Sequence, residues 1–258
     1  MIPDSWLADR TRQIELSGIR KVFELGKSLK DPVNLSIGQP HFPVPEPVRE
    51  AAKAAIDAGH NGYTVTQGVA ELRERLAVDT AARFPGQDRD VLVTGGTSGG
   101  LLLALMAAVN PGDEVITPDP YFVAYPHMIT LAGGQMVAVA GYPDFKLDPD
   151  RIAAALTPRT KVILLSTPSN PTGVVAEPDT LKAVAELARK RGVLLISDEI
   201  YRAFHYDGAA HSPAEWDENV LVVEGFGKTY AMTGWRLGWA HERELLELRH
   251  LGEEALRP

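Results

Sequence analysis

Residues 193–201 read VLLISDEIY, and this stretch decides the fold of the chain. Its first five residues are apolar or small, with no alternation between apolar and polar positions, and Asp198 follows them directly. Continuous runs of this kind are typical of strands buried on both faces, as in a parallel sheet covered by helices. The stretch therefore predicts a central strand with Asp198 at its carboxyl end.

Six further runs of similar length lie along the chain, and amphipathic segments separate them. Residues 47–58 and 180–190 have helical patterns that end just before Gly59 and Gly192, and glycine is a favoured helix stop. This alternation predicts a three-layer α/β/α fold around a mostly parallel, seven-stranded sheet. The six runs are VLVT (91–94), EVIT (114–117), MVAVA (136–140), KVILLS (161–166), VLVV (220–223) and RLGWA (236–240).

The composition excludes several classes of protein. The 258 residues allow one large or two small domains, and the formal net charge of −8 argues against nucleic acid or an anionic membrane as the main partner. The absence of cysteine excludes disulfides, thiolate catalysis and cysteine-bound zinc, and we predict no metal site. The charged N-terminus does not read as a signal peptide, and the apolar run 101–109 is too short to span a bilayer. We expect a cytoplasmic protein.

Polar segments follow several of the predicted strands. Ligands of open α/β sheets bind at the carboxyl ends of the strands, so these segments are the candidate site. In one of them, small residues precede a helix, where free backbone N–H groups can bind an anion. The segments are GGTSGG (95–100), PDPYFVAY (118–125), TPSNPTG (167–173), SDEIY (197–201) and EGFGKT (224–229).

The letters GKT at 227–229 raise the alternative of a nucleotide-binding P-loop. That motif needs a glycine five positions before Gly227, where this chain has Val222, a β-branched residue unsuited to the positive φ of the turn. The aspartate that would hold magnesium normally follows the P-loop, whereas Asp198 precedes Lys228. The pattern therefore disfavours a P-loop.

Taken together, TPSNPTG, SDEIY and GFGKTYAMTGWRLGW (225–239) resemble the signature blocks of class I/II aminotransferases, fold-type-I enzymes that depend on pyridoxal 5'-phosphate (PLP). The resemblance extends upstream through NLSIGQPHFPVP (34–45), YTVTQGVAELRE (63–74), VLVTGGTSGG (91–100) and PDPYFVAYPHM (118–128), in the family's order. It implies the PLP-transferase large domain, PLP as cofactor, and amino acid and 2-oxo acid substrates in a ping-pong Schiff-base mechanism.

The resemblance implies three catalytic residues. Lys228 would form the Schiff base and act as general base, and Asp198 would keep the pyridine nitrogen protonated. Tyr201 and Asn170 would hydrogen-bond the phenolic oxygen of the cofactor, and the Asn170–Pro171 bond is predicted to be cis. Without the resemblance, purely structural roles remain open for these residues. They are a surface lysine at Lys228, a helix cap at Asp198 and a simple turn at Asn170–Pro171.

The remaining predicted contacts also come from the resemblance. Phe122 would stack on the pyridine ring, although Tyr121 and Tyr125 stand close enough in sequence to be confused with it. Gly38 matches a backbone position near the substrate carboxylate. The phosphate would be bound by Gly96, Thr97, Ser98 and Arg236.

Tyr63 matches a tyrosine that reaches the phosphate of the neighbouring subunit. The resemblance therefore implies a homodimer with shared active sites. A half-buried tyrosine in a strand or turn is the alternative for this position.

The chain departs from the family pattern in two places. Gly225 and Gly227 stand where many members have serine, and the sequence stops at 258, where the family continues into its small domain. We expect an N-terminal arm and small-domain segment over 1–40 with exposed apolar surface, a PLP-binding domain over 41–241, and a C-terminal helix over 242–258.

The small domain would then be incomplete, without a recognisable arginine for the substrate α-carboxylate. We expect weak or no transamination by this chain. The same blocks occur in C–S lyases and in aminocyclopropane-carboxylate synthases, and a non-catalytic PLP-binding or dimer-forming remnant is the alternative outside enzymes.

Overall fold

The computed structural model describes residues 4–14, 18, 22, 25–26, 28–31, 33 and 38–243. Within these ranges seven strands form one sheet in the order β1-β7-β6-β5-β4-β2-β3, as predicted. The strands are β1 Asp90–Thr94, β2 Glu114–Asp119, β3 Gln135–Ala140, β4 Thr160–Ser166, β5 Leu194–Asp198, β6 Leu221–Gly225 and β7 Gly238–Glu242.

The strands run in one direction with a single exception. The strands β3, β2, β4, β5 and β6 are joined by parallel pairings, whereas β7 is antiparallel to both of its neighbours, β6 and β1. The amino end of β7 therefore lies at the same edge of the sheet as the carboxyl ends of the other strands. The pairs Gly225–Gly238 and Thr94–Gly238 bring this end beside β6 and β1.

Helices alternate with the strands, as the sequence pattern predicts. The predicted segment 180–190 is part of α6, which ends at Gly192 in a left-handed conformation (φ 64°). The helices of the described ranges are α1 Glu46–Asp57, α2 Ala70–Arg83, α3 Thr97–Ala108, α4 Tyr125–Leu131, α5 Pro149–Ala155, α6 Pro178–Arg191 and α7 Phe226–Thr229.

Both faces of the sheet are buried in apolar cores, which explains the continuous apolar runs. Successive residues of β4 alternate between the two cores: Val162 and Leu164 pack with α3 and α4, while Ile163 and Leu165 pack with α6. Each of these four side chains is at most 2% exposed. The pleat turns neighbouring side chains to opposite faces, so a strand covered on both sides needs no polar position.

The ends of the chain lie largely outside this description. The helix predicted over 242–258 falls outside the described residues beyond Arg243, as does much of the arm predicted over 1–40. The described part of that arm exposes apolar side chains, with Trp6 76% and Leu25 65% accessible. No helix in the described ranges combines the length and the hydropathy that crossing a membrane requires.

Candidate active site

A cavity of about 480 Å³ opens at the edge of the sheet where the carboxyl ends of β4, β5 and β6 meet. We call it the strand-end cavity. The structure brings together at its wall every predicted site residue except Tyr63. They are Gly38, Gly96, Thr97, Ser98, Phe122, Asn170, Asp198, Tyr201, Lys228 and Arg236.

Lys228 lies in α7, a four-residue helix that follows the buried strand β6 directly. Its Nζ donates a hydrogen bond to the Gly38 carbonyl oxygen at 2.6 Å and lies 5.5 Å from the centre of the Tyr201 ring. Partial burial, followed by the charge of Arg236, lowers the pKa of the Lys228 amine. The lysine is therefore a half-buried amine facing a cavity, unlike a solvated surface lysine.

Asp198 is the last residue of β5 and is 5% exposed. Its Oδ2 accepts a hydrogen bond from the Tyr125 hydroxyl at 2.8 Å, and its Oδ1 accepts one from the Ile200 N–H at 3.3 Å. Burial raises the pKa of Asp198 to about 6 although both hydrogen bonds lower it. The carboxylate does hold a turn amide, but the segment after it forms a 3₁₀ turn over Arg202–Phe204 and no α-helix begins there.

Asn170 and Tyr201 meet across the cavity wall from different strand ends. The Asn170 Nδ2 donates to the Tyr201 hydroxyl oxygen at 3.3 Å. The Asn170–Pro171 peptide bond is cis, as predicted. Burial and the charge of Asp198 raise the pKa of Tyr201.

The start of α3 and Arg236 form a cationic corner of the cavity. Gly96 precedes the helix with φ +77°, and a Cβ there would lie 2.6 Å from Arg236 Nη2, so only glycine leaves room for this approach. The N–H groups at the first turn of a helix attract anions. Arg236 was predicted as part of a strand over 236–240, but the strand begins at Gly238 and Arg236 adopts a left-handed conformation (φ 53°).

The antiparallel direction of β7 explains how Arg236 reaches this corner. The residue lies just before Gly238, whose backbone touches the start of α3: a Cβ on Gly238 would lie 2.7 Å from the carbonyl carbon of Gly96 and 2.8 Å from the Thr97 nitrogen. Close backbone contact therefore fixes the cationic corner against the sheet.

The two aromatic residues predicted to bind the cofactor lie in different places. Phe122 lines the strand-end cavity and meets the Tyr125 ring edge-on, with ring centres 5.5 Å apart. Tyr63 is fully exposed and lies outside the cavity wall. A single chain thus does not bring Tyr63 to the site.

Tyr125 is the residue that the sequence analysis did not assign. It is 1% exposed and holds Asp198 from α4. One signal was available, because Tyr125 follows a strand end in the segment 118–125, where ligand-site residues of such sheets collect.

The carboxyl end of β5 carries a second acidic group on the other face of the sheet. Glu199 is 2% exposed and accepts hydrogen bonds from Ser197 and Ser212 at 2.9 and 2.5 Å. Arg83, at the end of α2, pairs with Glu199 and with Glu224. We call Arg83, Glu199 and Glu224 the buried charge cluster. The sequence analysis did not predict it.

The donor set of the strand-end cavity fits PLP. A guanidinium and a helix start in one corner suit a phosphate, and the buried carboxylate of Asp198 suits a protonated ring nitrogen. The amine of Lys228 suits an aldehyde. The half-buried ring of Phe122 offers a flat apolar surface for an aromatic ring.

The fold and the cavity define an α/β protein in which a half-buried lysine, a buried carboxylate and a cationic corner share one cavity. Residues 30–247 match the sequence model of "Aminotransferase class I and II", and the chain belongs to this family.

The relatives have different substrates in their names. The chain is 42% identical over 226 residues to the aspartate/prephenate aminotransferase of Thermus thermophilus, covering 85% of this chain and 58% of that protein. It is 37% identical over 243 residues to the aromatic-amino-acid aminotransferase 2 of Thermococcus litoralis, covering 90% and 62%.

Solved structures agree with this fold. The aspartate aminotransferase from Thermus thermophilus with maleate superposes with a TM-score of 0.87 at 39% identity, over 93% of this chain and 66% of that one. The chain thus spans less than two thirds of the length of the curated relatives described above.

Proposed function

We propose that this chain forms the cofactor-binding part of a PLP-dependent aminotransferase, which transfers an amino group from an amino acid to a 2-oxo acid by a ping-pong mechanism. The observation that carries the proposal is the convergence of Lys228, Asp198 and Arg236 on one cavity. Membership of a family that generally depends on PLP supports it. Residues 41–241 are the proposed PLP-binding domain.

Each part of the cofactor has candidate partners in the strand-end cavity. Asp198 would hold the ring nitrogen, Phe122 would cover the ring, and Asn170 with Tyr201 would bind the phenolic oxygen. Gly38 contributes a backbone group on the substrate side. The phosphate would be bound by Gly96, Thr97, Ser98 and Arg236. When bound, PLP supplies an electron sink that stabilises negative charge at the substrate α-carbon.

Lys228 supplies the proton chemistry. Burial lowers the pKa of its amine, so a larger fraction is neutral at a given pH than for a free lysine. A neutral Nζ can accept a proton from the substrate α-carbon and deliver it again, as a general base and acid. The cavity wall partly shields this amine from water, which limits loss of the transferred proton to the solvent.

Tyr63 supports a homodimeric form of the proposal. Its side chain is fully exposed and lies outside the wall of the strand-end cavity. In a dimer with shared sites it would reach the phosphate of the neighbouring subunit.

Trapping the cofactor tests the proposal. The purified chain is mixed with PLP, reduced with borohydride, digested, and mapped by mass spectrometry, with Lys228→Ala as the matched variant. We expect one stoichiometric adduct on Lys228 and none at that site in the variant. Labelling spread over surface lysines, with no preference for Lys228, contradicts the proposal.

Product analysis tests the reaction class separately. The chain with PLP is supplied with a panel of amino acids and a 2-oxo acid acceptor. Exchange of the amino group into a new amino acid supports transamination, whereas release of free ammonia indicates an eliminating reaction. Adduct formation without either product indicates PLP binding alone.

A further inference from the structure

The Tyr125 hydroxyl is a buried donor aimed at one acceptor. Its side chain is 1% exposed, and its hydroxyl lies 2.8 Å from Asp198 Oδ2. Tyr125 begins α4, while Asp198 ends β5, so the contact joins two separate elements at the floor of the strand-end cavity. The ring packs edge-on against Phe122, which fixes its direction.

We infer that Tyr125 is a positioning residue that acts through Asp198, holding its carboxylate ionised and facing the strand-end cavity. This inference rests on the proposed function, because the role of Asp198 there is to meet the ring nitrogen of PLP. It assigns Tyr125 a task distinct from that of Phe122, three residues earlier on the same segment.

The surroundings of Asp198 explain why a donor is needed. Burial raises the pKa of Asp198, and so does the neighbouring charge of Glu199. The groups that lower it are the Tyr125 hydroxyl and the Ile200 N–H, and no cation in the described part of the chain contributes. Tyr201 faces the pair from the following turn, and Lys228 lies on the same cavity wall.

Removing the hydroxyl leaves one hydrogen bond on a buried carboxylate. In Tyr125→Phe we expect the Asp198 titration to move upward by about one pH unit, as a lost hydrogen bond to a charged group implies. PLP affinity should then weaken about two-fold at pH 7 and about five-fold at pH 6, and recover at higher pH. A purely structural tyrosine would lower affinity equally at every pH.

The test uses the full chain with two readouts. The Asp198 carboxyl is titrated by carbon NMR without PLP, its signal being identified by its absence in Asp198→Asn. PLP affinity is then measured between pH 5.5 and 8.5 for wild type, Tyr125→Phe, Asp198→Asn and the double variant. Tyr142→Phe, on a half-exposed ring outside the cavity, is the control.

We expect the effect of Tyr125→Phe on PLP affinity to vanish in the Asp198→Asn background, because the tyrosine acts through that carboxylate. An unchanged Asp198 titration, or an equal loss of affinity in both backgrounds, overturns the inference. If Tyr125→Phe does not fold, a fluorinated tyrosine at Tyr125 is the second variant. Its more acidic hydroxyl should lower the Asp198 titration, and no shift contradicts us.

The two readouts separate the inference from the proposed function. A wild-type chain that binds no PLP contradicts the proposed function, while the titration still decides whether Tyr125 controls Asp198.

Discussion

Asp198 is a site residue whose burial disfavours its ionised form. The carboxylate is buried, and burial raises its pKa from 3.8 to about 6. The folded chain therefore binds this proton more readily than the unfolded chain. The contribution of Asp198 to stability falls as the pH rises between these two values and is least favourable above pH 6.

We therefore predict that Asp198→Asn stabilises the chain without PLP at pH 8, by up to about 3 kcal/mol, the equivalent of the pKa shift. The gain should shrink towards pH 4, and PLP affinity should fall. Urea unfolding across this pH range measures the first effect. Asp207→Asn, at an exposed position, is the control and should change little. A loss of stability at pH 8 would contradict the prediction.

A substitution of Arg236 tests the cationic corner separately from the rest of the cavity. We predict that Arg236→Gln weakens PLP binding by about 10- to 100-fold, the range expected for lost charge-assisted hydrogen bonds. Binding of pyridoxal, which lacks the phosphate, should hardly change. Arg243→Gln, on an exposed ion pair with Glu218, serves as control. Equal losses of affinity for PLP and pyridoxal would show that Arg236 does not bind the phosphate.

For individual residues, the sequence predicted the members of the candidate site only where they belong to a recognisable motif. The two tyrosines and the phenylalanine within 121–125 could not be sorted, because one segment does not show which ring faces the sheet. The buried charge cluster was missed for another reason. Glu199 follows Asp198 directly, and the pleat sends it to the opposite face, where its partner Arg83 comes from a distant helix.

Among the elements, β7 has the most consequence for the site. It is the antiparallel strand, and its first residue packs against the start of α3. A Cβ on Gly238 would also lie 2.8 Å from the Glu224 carbonyl oxygen. Backbone surrounds this position, so no side-chain rotation can make room.

We predict that Gly238→Ala lowers the free energy of unfolding by about 1–3 kcal/mol, because inserted atoms in a packed region force the backbone to shift. Gly95→Ala is the matched control, since a Cβ at Gly95 meets nothing within 4 Å. It should cost less than about 0.5 kcal/mol. Similar urea midpoints for the two variants would show that the contact at Gly238 is unimportant.

Element positions were predictable because burial on both faces leaves a simple signature. All seven runs fall on strands, with bounds that differ by one or two residues. The direction of β7 was not predicted. Pairing direction depends on how the chain returns after β6, and the pattern of apolar residues contains no direction.

At the scale of the whole molecule, the buried charge cluster fastens α2 to the centre of the sheet. Arg83 is the last residue of this helix, and it reaches Glu199 after β5 and Glu224 in β6. The Glu199 side chain is 1% exposed. Without its partner it would be an uncompensated charge in the interior.

We predict that Arg83→Leu destabilises the fold by about 3–5 kcal/mol, as removal of one partner from a buried ion pair does. Arg75 on the same helix pairs with Asp79 at 3.1 Å, with both side chains exposed, and Arg75→Leu should cost about 0–1 kcal/mol. Chemical denaturation of the two variants side by side measures the difference. Equal costs would mean that the cluster adds nothing to stability.

The place of β7 in the sheet also bears on how the nascent chain matures. This strand is the last of the seven to leave the ribosome, yet it lies between β1 and β6. Until residues 238–242 emerge, β1 has no neighbouring strand to join it to the other five strands of the sheet. The cationic corner therefore lacks Arg236, which lies two residues before this strand, until this part of the chain is made. Cofactor capture should begin only after that strand is inserted between β1 and β6.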